Sequence, residues 1–192
     1  MKKLYVLLLG AVLTIGGLTS CGDATVQSTA SPAPTPSATP AIVESDIREF
    51  ALSADDFTAS LNEALSNSGY AELTDPKSTP SENKEFGVHT AYTYSLGTGA
   101  SLVLYVGDAS GNILNFSVLT IASEVTADSL FNAQLIMGCL LGITAGDDAE
   151  AVSEELSLTE VDADTFATAS APGAEYLYMV QDGSIVFMIS PA

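Results

Sequence analysis

Basic residues are scarce in this chain. Five Lys and Arg stand against 24 Asp and Glu in 192 residues, a formal net charge of −19. Nucleic-acid backbones and anionic lipid headgroups are gripped by clustered Lys and Arg. The deficit therefore excludes nucleic-acid binding and an electrostatic hold on a membrane. Tryptophan is absent, so a sugar-stacking platform would have to use the seven Tyr and seven Phe. His89 is the single histidine, which excludes a two-histidine zinc site within one chain. It lies on the more polar parity of its segment and is expected at the surface. No P-loop, dinucleotide fingerprint or G-x-S-x-G elbow occurs. Long apolar runs are missing too. The longest, Leu4 to Leu18, is 15 residues, short of the roughly 20 that span a bilayer as a helix. What is present is 47% apolar composition, enough for a core in one domain.

The apolar run follows Lys2 and Lys3 and ends in Leu18-Thr19-Ser20-Cys21. A charged start, a short apolar stretch and a small-residue end read as an export signal. The ending resembles the bacterial lipoprotein signal, with a Leu three positions before the Cys and two small residues between. The resemblance covers residues 1–21 only. It implies that the Cys21 sulfur takes a diacylglyceryl group and that the chain is cut just before it. It also implies export and anchoring to the bacterial membrane, on its outer face or in a diderm periplasm. With Cys21 lipidated, Cys139 is the only other thiol and no disulfide can form inside the mature domain.

The expected organisation is a signal peptide at 1–20, a tether at 21–43 and one globular domain at 44–192. Pro32, Pro34, Pro36 and Pro40 sit among Ser, Thr and Ala in the tether. Such a stretch favours extended polyproline II at about 3.1 Å per residue, a spacer of up to roughly 60 Å.

Within the domain, Ser53-Ala54-Asp55-Asp56 starts a helix, with Ser53 as cap. Phe57, Leu61 and Leu65 recur on one face of it, about 54 to 67, and Gly69 stops it. The stretch with Pro76 and Pro80 reads as loop. Strict alternation over 86–96 predicts a strand, followed by strands at 101–106 and 113–121. A charge-poor apolar stretch from Ala127 to Leu141 predicts a buried helix closed by Gly142. Asp147 and Glu150 resemble a capping box for a short helix over 148–156. An irregular acidic connection then runs to about Ala174. Strands at 176–180 and 185–189 flank Asp182-Gly183, a hairpin signal. The expected fold is α+β in the order α-β-β-β-α-α-β-β: five antiparallel strands with helices mainly on one face.

Candidate chemistry is sparse. Glu160, Asp162 and Asp164 alternate like the start of a calcium loop, but Thr165 and Ala171 occupy the positions that need Gly and Glu. Asp147, Asp148, Glu150, Glu154 and Glu155 suit helix capping and solubility, with a low-affinity Ca²⁺ site as the other reading. Cys139 lies in the apolar helix and reads as a small core residue; a dyad with His89 is the lesser reading, because no neighbouring cation would lower the thiol pKa. No cofactor is expected.

Three strands carry apolar residues on both parities. If helices cover one face only, Val103, Tyr105, Leu177, Met179, Val186 and Met188 form an exposed apolar face for a protein partner or a homodimer. The competing expectation is that the 157–174 connection or the first helix covers that face. The leading functional expectation is a lipid-anchored extracytoplasmic binding module, attached to the membrane through Cys21. The alternatives are a carboxylate-dependent envelope hydrolase, which needs two converging acids, and a passive acidic surface protein.

Overall fold

The computed structural model describes residues 47–67, 69–158 and 164–192. The signal peptide, Cys21 and the tether lie outside the described residues, as do Glu160 and Asp162 of the acidic alternation.

Helix α1 spans Ala54–Asn67 and buries Phe57, Leu61 and Leu65. Its start is capped: the Asp56 amide donates to Ser53 Oγ (3.1 Å), and that hydroxyl donates back to Asp56 Oδ2 (2.8 Å). Strands β1 (Lys77–Asn83), β2 (Gly87–Gly97), β3 (Ala100–Gly107) and β4 (Ile113–Thr120) follow. Then come α2 (Ala127–Ala145), a single 3₁₀ turn (Gly146–Asp148) and α3 (Ala149–Glu155). Strands β5 (Phe166–Ala171), β6 (Ala174–Gln181) and β7 (Ser184–Pro191) complete the chain. The seven strands form one antiparallel sheet in the order β1-β2-β3-β4-β7-β6-β5.

The α+β sheet therefore corrects the five-strand expectation. The two additional strands are its edges. β1 lies in the stretch assigned to loop because of its prolines. Every one of its residues is exposed, so it has no buried parity to produce alternation. An edge strand also tolerates the missing amide of Pro80. β5 lies in the expected irregular connection and turns only Ala167, Ala169 and Ala171 toward the core face, a weak apolar signal.

The register assigns every strand two faces. Tyr94, Leu102, Val118, Phe187 and Tyr178 are cross-strand neighbours on one of them. This face joins the buried side chains of all three helices in one core that includes Phe57, Ile136, Leu140 and Val152. Fully burying such a side chain stabilises by about 1.5–3 kcal/mol.

Two helix expectations change. α2 runs past Gly142 to Ala145 and ends at Gly146, where φ is +57°. Only one side of it is buried, through residues such as Ala133, Ile136, Met137 and Leu140. Phe131 on its outer side is 50% exposed and stacks on Tyr70 at 5.9 Å. The helix is apolar all round but covered on one side. Its N-terminus is capped by Thr126, whose hydroxyl accepts the Ser129 amide at 3.2 Å. The capping box expected from Asp147 and Glu150 does not form. Asp147 lies in the 3₁₀ turn, and Asp148 precedes α3 without a side-chain cap.

Candidate functional site: the helix-free face of the sheet

Residues of the opposite parity build the second face, helix-free in the sense that none of the three described helices packs against it. Thr93, Val103, Ser117, Met188, Leu177 and Thr168 form one row across β2, β3, β4, β7, β6 and β5. Ser101, Leu119, Val186, Met179 and Phe166 form the next. Val103, Tyr105, Leu177, Met179, Val186 and Met188 thus share one side of the sheet. None of them belongs to the core that the helices share. The first helix packs on the other face. The later part of the 157–174 connection is β5 itself and extends this face instead of covering it.

The six residues are unequal. Val103 is only 7% exposed and offers little surface. Leu177, Met179, Val186 and Met188 are half-buried, as is Tyr105. Leu119 adds a half-buried apolar side chain, and Phe166 at the β5 edge is 53% exposed. Neither stands out in the sequence, because Leu119 shares its parity with the polar Asn115 and Ser117 and β5 lacks a strand pattern. Polar groups in the middle of the face are already partnered. Asn115 Nδ2 donates to Ser190 Oγ (2.8 Å), and Ser117 Oγ donates to Asn115 Oδ1 (3.1 Å).

The β2 end of the face is closed by aromatics. Phe86, His89 and Tyr105 form a cluster with ring centroids 5.2–5.8 Å apart. His89 is 1% exposed, which corrects the surface position expected for it. Its parity is polar, but Phe86 from the β1–β2 turn lies over it. Its Nδ1 is 3.0 Å from the Gly87 carbonyl. Burial, and then the nearby Glu85 carboxylate, pushes the Tyr105 hydroxyl above its usual range. Ile47 covers Gly87 beside this cluster.

The β5 end is open. A cavity of about 510 Å³ lies there, lined by Thr168, Ser170, Glu175, Leu177, Met188 and Ser190 of the helix-free face, by Ala169 and Tyr176 of the core-facing parity and by Glu155 at the end of α3. Both carboxylates are exposed.

Cys139 is half-buried in α2, and burial pushes its thiol up, away from the reactive thiolate. It lies on the helix side of the sheet and His89 on the other, so the two do not meet. Among the described residues no cluster of three or more His, Cys, Asp or Glu side chains could hold a metal ion. No known family model, curated protein or solved structure matches this chain.

Proposed function

We propose that this protein is a lipid-anchored binding module of the bacterial cell envelope. It is held by a lipid on Cys21 and engages a partner through the helix-free face of its sheet. One observation carries the docking part. Leu177, Met179, Val186 and Met188 form a contiguous, half-buried apolar patch on a face that no described helix packs against. Contiguous apolar surface of this kind marks interaction sites. The open cavity at the β5 end further supports binding over a purely passive, charge-bearing role. The anchoring part rests on the Leu18–Cys21 motif. The side-chain charge supports it, because removal of Lys2 and Lys3 leaves three basic residues against 24 acidic ones. Such a domain is repelled by anionic lipid and needs a covalent anchor.

The reading is tested in cells with a photo-crosslinking amino acid placed at Met179 or, as a control, at Phe131 on α2. The Met179 probe gives a discrete adduct and the Phe131 probe does not. Adducts of equal yield from both positions would show that this face has no special role. Incorporation of labelled palmitate, abolished by Cys21→Ser, tests the anchor separately.

A further inference from the structure

The two edges of the sheet are built differently. β1 carries Pro80, which has no amide hydrogen, together with Lys77 and Glu82. Proline and charge on an edge strand block the approach of another strand. β5, reading Phe-Ala-Thr-Ala-Ser-Ala, has neither proline nor charge. Its hydrogen-bonding phase is set by the Val180 amide, which donates to the Thr165 carbonyl at 2.8 Å. Residues 167, 169 and 171 therefore also turn their backbone groups toward β6, and Thr168 and Ser170 turn theirs outward. The side chains of Thr168 and Ser170 are exposed and line the cavity that Glu155 and Glu175 flank.

Charge selects the occupant. The chain has no Lys or Arg after Lys84, so every cation of the domain lies at or before the β1–β2 turn. The elements around β5 contribute Asp147, Asp148, Glu150, Glu154, Glu155 and Glu175 with no counter-charge. A second copy paired edge to edge would bring these acids together. A basic strand would be drawn to them.

We propose that the β5 edge accepts an extended basic segment of a partner protein as an eighth strand, with its Lys or Arg side chains against Glu155 and Glu175. This is β-strand addition, in which main-chain bonds hold the segment and alternate side chains set its selectivity. The inference rests on the docking reading above and names the class of partner.

The test titrates the isotope-labelled full chain with a blocked octapeptide of alternating Lys and Val, and with its Glu-Val twin, following amide shifts by NMR. The Lys-Val peptide moves Thr168 and Ser170, and the Glu-Val twin does not. Thr168→Pro removes an outward amide hydrogen and weakens binding at least tenfold. Glu155→Gln with Glu175→Gln, both at exposed positions, weakens it several-fold and flattens its salt dependence. Equal binding of the two peptides overturns the inference, as does dimerisation of the chain through β5. Shifts confined to Leu177, Met179, Val186 and Met188, with Thr168→Pro binding normally, overturn strand addition but leave the docking face standing. If the Lys-Val peptide moves nothing on this face, strand addition fails, and the Met179 adduct then decides separately whether the face docks another partner.

Discussion

The tyrosines show how single residues couple this fold to pH. Burial raises the hydroxyl pKa of Tyr105, Tyr176 and Tyr178 above the ordinary value of 10.0. In the unfolded chain these groups ionise first as pH rises. Their contribution is thus fully present below pH 10 and is lost above it, as pH climbs through the folded values. Urea unfolding followed at increasing pH is expected to show constant stability from this source up to about pH 10 and a steady fall beyond. Gly99 imposes a different constraint. Its φ is +67°, and an added Cβ would come within 2.6 Å of the Val125 amide nitrogen. Gly99→Ala should cost more than the roughly 1 kcal/mol typical of a left-handed glycine, since backbone must also move. Denaturant midpoints of the two proteins measure it.

At the scale of elements, the interior of the fold is legible in the sequence and the edges are not. α1 has apolar residues at spacing four and a capping serine, so its limits follow from the residues. β2 alternates because one parity meets helices. β1 and β5 lack that contrast, since edge strands are held by backbone bonds that leave little mark on composition. The same limit hides part of the site. Parity alone is enough to group Leu177, Met179, Val186 and Met188. The cavity at β5 and the acids around it depend on a strand with only alanines facing the core. The burial of His89 escapes the pattern because parity does not reveal that Phe86 folds over it. The ladder phase of β5 has its own consequence. Ala169→Pro removes an inward amide and should cost about 1 kcal/mol for the bond, plus the loss from a distorted edge. Thr168→Pro removes an outward one and should fall within about 0.5–1 kcal/mol of wild type, because edge strands accept proline there. Equal losses in thermal unfolding would show the phase to be wrong.

For the molecule as a whole, charge and hydrophobicity are separated. The three basic residues of the domain, Arg48, Lys77 and Lys84, belong to its N-terminal part. The acids elsewhere repel one another across the surface. Raising NaCl from about 20 to about 500 mM shortens the screening length to roughly 4 Å and should raise the melting temperature. A fall in melting temperature would mean that attractive pairs outweigh that repulsion. The same repulsion disfavours a second copy at the β5 edge. In the proposed docking, the apolar patch would supply contact area and the acids at its border would supply selectivity for basic segments.

Docking on the helix-free face is decided by the Met179 photo-adduct, measured in cells with and without Met188→Asp. Met188 is half-buried, and the carboxylate replaces apolar surface in the neighbouring row without altering the core. The variant is expected to keep the wild-type unfolding transition and to lose most of the adduct. A folded Met188→Asp variant that forms the adduct at wild-type yield would show that the partner does not dock on this face.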